Sequence, residues 1–488
     1  MVAGEPAKYR NRGEISFFGH GGAIALMVFV VDRSVKLSLF AMALGVLAIA
    51  NDFTAMNVAI PAIEKDFDTG VTTTQWVVNA YALSFGVLIV TGGRLADLFG
   101  RREAFFLGAG IFGLMSLLAG LAQSEAWLIA ARALMGVGGA LMWPAVLGMT
   151  YGALPAEKAG LAGGLILGVA GMGNALGPVI GGALTEFLSW RWILFLNVPI
   201  ILIAVLCVWL YIHQPKPEPA DRQIDYAGIS TVTGGLVLFM VALDQVVDLG
   251  WGDPLIIGAI ALAALLLVVF ALVERRAGEH ALIPRDMISN ESFAASCLAI
   301  LFMSAVFFGA LFYLPQYMLK EFGYTAFEAG LGLLPFMAIF AATSFISGPL
   351  YNRLGPKPIV TAGAACIAAG PLVVSFGISS GGSYQALVPG MVVLGIGVGL
   401  FYSSATTSGV TSVAESRTSL AGGIIYMCQI AGGSVGLALT TTVFASQSDL
   451  ISGLHAAFRL DAALAFIGFL IVLFYVGGRI GALRRQAS

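Results

Sequence analysis

The chain has 488 residues, of which 58% are hydrophobic and 11% charged, with a formal net charge of −2 and a mean hydropathy of +0.91. So apolar a composition excludes a water-soluble globular protein of this length and points to a polytopic membrane protein. The near-neutral charge gives no bulk attraction for nucleic acid. The four cysteines fall in apolar runs and the four histidines are scattered, so no disulfide framework, metal site or catalytic constellation is expected, and the chain is not read as an enzyme. No phosphate-binding GxxxxGK[ST] loop is present, which argues against an ATP-driven machine.

In chain order, residues 1–35 read as a leader at the membrane interface or in the cytoplasm. The apolar run 15–31 is short, broken by glycine and interrupted by His20, and falls below spanning length. Apolar windows of about 20 residues follow. The first six lie at 37–61, 74–92, 103–122, 127–150, 160–184 and 192–212, and two more at 226–244 and 254–273. The last six lie at 293–317, 327–350, 358–378, 385–409, 419–445 and 461–482. The expected fold is therefore all-α, with fourteen membrane helices. It divides into a six-helix bundle at 36–213, an inserted pair at 214–291, a second bundle at 292–482 and a tail at 483–488. An even count puts both termini on one side. If that side is cytoplasmic, every lysine and arginine outside the spans except Lys65, Arg191, Lys320 and Arg459 lies inside, as the positive-inside rule requires.

Span 1 carries Asp52 within an apolar run that ends at Asn57 and Pro61. An acid near the bilayer middle costs about 2.5–3.5 kcal/mol on insertion scales, so it must face a cavity or a partner. Burial favours its neutral form and a nearby cation its charged form, which suits a proton carrier. The plainer alternative is a structural acid capped by Asn57 or Thr54. Between spans 2 and 3 stands Gly93-Arg-Leu-Ala-Asp97-Leu-Phe-Gly100-Arg101-Arg102. Its two glycines allow a tight turn and close approach. Asp97 is placed to pair with arginine or to cap a helix N-terminus, as an inner gate would. In span 4, Arg132, Gly136, Gly139 and Trp143 share one helical face; an arginine snorkelling to the interface is the alternative. In span 5, Gly173, Gly177 and Gly181 form a small-residue stripe interrupted by Pro178, suited to close helix packing and a kink at an outer seal. Asn57, Trp143, Phe308, Phe312 and Tyr402 are the candidates for a substrate cavity, expected between spans 1, 4, 9 and 12, with spans 7 and 8 peripheral.

The frame of the 93–102 loop returns 255 residues later as Gly348-Pro-Leu-Tyr-Asn352-Arg353-Leu-Gly355-Pro-Lys357. Gly136, Leu161, Gly173 and Gly177 return as Gly395, Leu420, Gly432 and Gly436, each offset by 259. Spans 1–6 thus repeat as spans 9–14 in parallel topology, which is transporter architecture. Glycine repeats but charge does not: the positions matching Asp52 and Arg132 are Phe307 and Met391, so buried charge is expected in the first half alone.

These motifs resemble the fourteen-span drug:proton antiporter branch of the major facilitator superfamily. The likeness rests on the 93–102 loop, on Leu128, Arg132, Gly136 and Gly138 of span 4, and on the glycine stretch 168–182. It extends to 52–61, to Trp190-Arg-Trp-Ile-Leu-Phe-Leu-Asn197-Val-Pro199 and to Leu314-Pro-Gln-Tyr317. The resemblance implies a monomeric, proton-coupled exporter of amphipathic small molecules in a bacterial plasma membrane. It would use alternating access and no cofactor beyond the coupling protons. A dedicated exporter of one metabolite or lipid is the alternative, ahead of an uptake symporter or a passive channel. Two departures stand out. Met135 sits where many relatives carry glutamine, and spans 10 and 13 lack a mid-membrane acid, Glu328 lying only near the outer end of span 10. Neutral or monovalent substrates are therefore favoured over divalent cations.

Overall fold

The computed structural model describes residues 33–212, 225–278 and 281–476; the 15–31 run and the 483–488 tail lie outside them. Among the described residues, fourteen helices are long and apolar enough to cross a membrane. The first six are α1 (Arg33–Phe67), α2 (Val71–Phe99), α3 (Arg101–Gly120), α4 (Glu125–Gly152), α5 (Ala159–Phe187) and α6 (Arg191–Tyr211). The inserted pair is α7 (Tyr226–Leu249) and α8 (Pro254–Ala277). The last six are α9 (Glu291–Glu321), α10 (Leu334–Leu354), α11 (Pro356–Gly377), α12 (Tyr384–Thr411), α13 (Thr418–Ala445) and α14 (Leu450–Tyr475). Helix is the form that satisfies every backbone group within one apolar segment.

Polar caps set several starts. Ser124, Asp225, Asp253, Asn290 and Asp449 each accept a backbone N–H from the first turn of their helix, as short polar side chains do at an N-cap. Two boundaries differ from the hydropathy windows. The tenth window breaks into a short helix, Ala326–Gly332, and α10 proper. Thr325 and Glu328 form a reciprocal capping box at that break, so Glu328 is an exposed cap and not a membrane acid. The last helix begins at Leu450 rather than 461. Arg459 and Asp461 interrupt the apolar run and hide its first three turns from a hydropathy scan.

The duplication is a duplication of packing. In the first bundle α2 pairs with α4, α3 with α4, α1 with α5, α1 with α6 and α3 with α6. In the second, α10 pairs with α12, α11 with α12, α9 with α13, α9 with α14 and α11 with α14, the same list shifted by eight helices. The repeated glycines mark these seams. A Cβ on Gly173 would meet Ala50 and Asn51 of α1, and one on Gly432 or Gly436 would meet Leu301 or Ala305 of α9. Between bundles α5 crosses α10 and α12, and α13 crosses α2 and α4. The α7–α8 pair stays outside, with α7 against α13 and α2. There Asn79 donates to Asp244 at 2.9 Å and the Trp251 indole donates to Thr442 at 2.7 Å.

Candidate functional site

The two repeated turns occupy one face of the protein. Gly100 and Gly355 adopt φ of 113° and 79°, a region that favours glycine. Each turn presents an acceptor to the start of a crossing helix in the other bundle. Asp97 accepts from the backbone N–H of Ser419 at 3.3 Å and of Leu420 at 2.8 Å, the first turn of α13. Asn352 accepts from the N–H of Gly160 at 2.9 Å, the first turn of α5. The four N-terminal amides of a helix lack internal partners and carry the positive end of its dipole, so an acid there is favoured. Arg101 joins the same contact: its Nε reaches Asp97 at 3.3 Å and its Nη1 donates to the Gly148 carbonyl at 2.9 Å. Its Nη2 donates to the Glu415 carbonyl of the second bundle. Gly93 lies where a Cβ would press on the backbone of Ser419 and Leu420. Arg102 differs from its expected gate role. It stays within its own bundle, donating to the Trp209 carbonyl of α6 at 3.2 Å beside the Phe106 ring.

Removing the Asp97 carboxylate should loosen this face. Two charge-assisted hydrogen bonds at about 1.5–3 kcal/mol each predict that Asp97→Ala raises hydrogen exchange of the Ser419 and Leu420 amides at least about tenfold. Asn352→Ala, which loses one neutral bond, should change the Gly160 amide less. Exchange mass spectrometry over the starts of α5 and α13 checks both.

Asp52 and Arg132 meet in the first bundle. Both side chains are fully buried and form an ion pair through Arg132 Nη1 and Asp52 Oδ2. Arg132 Nε donates to the Val77 carbonyl at 2.9 Å, and its guanidinium lies 4.4 Å from the Tyr81 ring centroid; it does not snorkel. Met135 Sδ is 3.8 Å from Nη1, where glutamine would have offered a harder acceptor. The other carboxylate oxygen accepts from Asn197 Nδ2 at 2.9 Å, and that amide also reaches Ser116 Oγ at 3.1 Å. Neither Asn57 nor Thr54 caps the acid: Asn57 donates to the Phe53 carbonyl, and Thr54 to carbonyls that include Asn174. The last contact has a cause in Pro178, which has no N–H for the carbonyl four residues before it; Thr54 Oγ1, at 3.3 Å, takes that place. Breaking one side of a buried pair costs about 3–5 kcal/mol, so the pair is held firmly in this conformation.

The central cavity lies between the bundles and encloses only about 40 Å³, room for a few waters. Phe53, Phe85, Trp143, Phe308, Tyr426 and Gln429 are among its walls. Trp143 and Phe308 thus stand where expected. Asn57 is exposed and is not among the walls, and Phe312 is 43% exposed one turn beyond Phe308. Tyr402 is buried behind Phe307, its hydroxyl 2.9 Å from Ser304 Oγ. The walls come from α1, α2, α4, α5, α9, α10 and α13; α12 does not reach the cavity, and neither do α7 and α8. On the face opposite the turns, Phe327 fills the space over Gly182 and Gly330 faces Pro178. Contacts therefore close both faces. Asp52 is not a wall residue: it points into its own bundle, behind α1. The link to the cavity is aromatic, because Tyr81 lies under Arg132 and stacks on Phe85, whose ring touches Trp143 and Tyr426.

Two functional candidates escaped the residue-by-residue reading. Asn197 lay inside the 190–199 motif without a role of its own. Asp461 is fully buried in the middle of α14, which corrects the expectation that buried charge belongs to the first half alone. The rule that singled out Asp52 applies to it equally once the helix is given its true start.

Two pseudo-symmetric six-helix bundles closing over a central cavity, with interlocked turns at one face, define a secondary transporter. The chain belongs to the Major Facilitator Superfamily, whose family model matches residues 42–437 and 296–487. It is 35% identical to the puromycin resistance protein pur8 of Streptomyces alboniger, over 81% of this chain and 79% of that one. It is 32% identical to the tetracenomycin C resistance and export protein of Streptomyces glaucescens, over 84% and 76%. It is 30% identical to the multidrug resistance protein Stp of Mycobacterium tuberculosis, over 85% and 77%. Among solved structures, the human organic anion transporter MFSD10 (TETRAN) superposes with a TM-score of 0.65 at 12% identity, covering 90% of this chain and 99% of that one.

Proposed function

We propose that this transporter is a drug:proton antiporter that exports amphipathic small molecules across a bacterial plasma membrane by alternating access. It acts as a monomer with both termini in the cytoplasm. The observation that carries the reading is the Asp52–Arg132 pair, an ionisable couple buried behind a cavity-lining helix, where membrane proteins keep charge for transport and proton relay. The distribution of basic residues supports a cytoplasmic position for the Asp97 face, and on that reading the Asp97–α13 and Asn352–α5 contacts are the inner gate and Phe327 with Gly330 belongs to the outer closure. Protonation of Asp52 frees Arg132 from its counter-ion, and α1 is then able to move against α4 and α6. Substrate in the cavity acts on the same helices through Phe85 and Tyr81. The resistance and export named for the two Streptomyces relatives support export over uptake.

The cavity walls are aromatic and aliphatic with Asn174, Thr54 and Gln429 as polar points and no charged side chain, which fits neutral or monovalent amphiphiles. The test is accumulation of a substrate panel in efflux-deficient cells expressing the protein, with and without a protonophore. Low accumulation that the protonophore reverses is expected; protonophore-independent export refutes proton coupling. Several unrelated compounds handled alike point to polyspecificity, and a single one to a dedicated exporter. Trp143 and Tyr426 lie 4.6 Å apart, centroid to centroid. Trp143→Ala should raise KM for aromatic substrates about three- to tenfold with little change for aliphatic ones, as concentration-dependent efflux will read.

A further inference from the structure

From the second bundle we infer that Asp461 is a second proton-binding site of the transport cycle, loaded in the conformation seen here. The inference rests on the proton-coupled reading above.

Asp461 is 0% exposed, and neither carboxyl oxygen has a hydrogen-bond partner among the described residues. Its Oδ2 faces α9 at Gly309, occupying the space that a Cβ there would need. An ionised carboxylate so placed loses its hydration with no donor or cation in return, whereas a proton on it removes the charge.

The helices packed against α14 offer no counter-ion. From α9 comes Tyr313, one turn past Gly309, its hydroxyl shared with Thr440 and Thr441 of α13. Helix α13 otherwise brings Tyr426 and Cys428, and α9 brings Cys297 deeper in and Lys320 and Glu321 at its end. From α11 come Cys366 and Lys357. Lys357 donates to the Val472 and Val476 carbonyls, at least eleven residues along α14 and so about 16 Å away. On α14 itself His455 is bonded to Ser375 at 2.6 Å, about 9 Å up the helix. Arg459 is exposed, two residues away on another face.

The position has a counterpart. In the first bundle the acid Asp52 sits on α1, and α6 supplies the amide Asn197. In the second bundle the α9–α14 seam holds the acid on α14 and a glycine on α9. Both acids stand behind cavity-lining helices, α1 and α9, so movement of either helix changes what its acid meets. Asp52 is paired with a cation here and Asp461 is not, so one conformation gives the two acids contrasting surroundings. Opening of the α9–α14 seam to the cytoplasm hydrates Asp461 and releases its proton.

The experiment uses the full chain in proteoliposomes with the membrane potential clamped at zero and a neutral substrate. The slope of log accumulation against imposed pH difference reads the number of coupled protons. Asp461→Asn is expected to lower that slope by one, so that one pH unit sustains about a tenfold rather than a hundredfold gradient if the wild-type value is two. A purely structural role leaves the slope unchanged while altering rate or thermal stability. A wild-type slope of zero refutes proton coupling itself; a non-zero slope that Asp461→Asn leaves unchanged refutes the inference alone. Should the variant fail to fold, the wild type decides through dicyclohexylcarbodiimide, which modifies protonated carboxyls in apolar surroundings. Mass spectrometry should find the adduct on Asp461, diminishing as pH rises, and no adduct on Asp461 overturns the proposal.

Discussion

Asp52→Asn is expected to abolish efflux driven by a pH gradient while leaving a folded protein that still binds substrate. The side chain keeps its size, and an amide oxygen still accepts from Asn197 or Arg132. What disappears is the charge that Arg132 faces and the only group in that cluster able to exchange a proton during the cycle. Arg132 retains the Val77 carbonyl at 2.9 Å and the Tyr81 ring at 4.4 Å, the second worth about 0.5–2 kcal/mol. Loss of a buried counter-ion at about 3–5 kcal/mol is therefore only partly offset, and the variant should melt at lower temperature. Substrate binding survives because Asp52 is not part of the cavity wall. The measurement is gradient-driven export in proteoliposomes set beside equilibrium binding in detergent. Export near the wild-type rate places the carrier elsewhere. Arg132→Ala, which leaves the acid with Asn197 alone, should change the pH dependence of transport as well as its rate.

The parts of this molecule that could be read in advance are those where chemistry conflicts with the membrane. Asp52 and Arg132 stand out because charge in an apolar run needs a partner, and Gly93, Asp97 and Gly100 because a helix junction was built twice. The glycine repeat is legible for the same reason: small residues at fixed spacing mean close helices, and Gly173 and Gly432 do lie at equivalent seams. Asp461 obeys the same rule as Asp52 but was lost to a boundary. With Arg459 two residues before it, the apolar window opened at 461, and an acid in the middle of α14 looked like an acid at its edge. Asn197 carries no such conflict, since an amide is tolerated wherever one partner exists, and only its contact with Asp52 gives it a role.

The cavity was the least legible part. Phe308 and Phe312 share a helical face, yet Phe308 is a wall and Phe312 meets the exterior, the next wall position along α9 being Leu311. Repeat symmetry also misled: α4 supplies Trp143, but its counterpart α12 turns Tyr402 toward Ser304 and Phe307, and α13 supplies Tyr426 and Gln429 instead. Periodicity tells which residues share a face. Which neighbour that face meets is decided by the rotation of each helix in its bundle, and that depends on packing along the whole chain.

Gly177→Leu is expected to remove efflux or to open a proton leak. A Cβ at position 177 would stand 3.0 Å from both Ala55 N and Asn51 O, backbone atoms of α1 that have no side-chain freedom to yield. Leucine adds three more carbons, so α5 must move off α1, and overpacking of this kind costs about 1–3 kcal/mol or more. The displacement also takes Thr54 from the Asn174 carbonyl that Pro178 leaves without a donor, exposing an unpaired acceptor at about 1–3 kcal/mol. On one side of this contact is Asn51, next to Asp52; on the other is Pro178, which faces Gly330 at the outer closure. The same shift therefore disturbs the proton site and the outer seal together. Decay of an imposed pH gradient in substrate-free proteoliposomes reads the leak, and gradient-driven export reads coupling. Gly432→Leu inserts the same bulk at the equivalent seam against Leu301, where neither Asp52 nor Pro178 is a neighbour. It should lower stability while leaving the Asp52 pair and the closure at Pro178 undisturbed, so no leak through that closure is expected. Normal export and a tight membrane in Gly177→Leu, at normal expression, would reduce the stripe to ordinary packing.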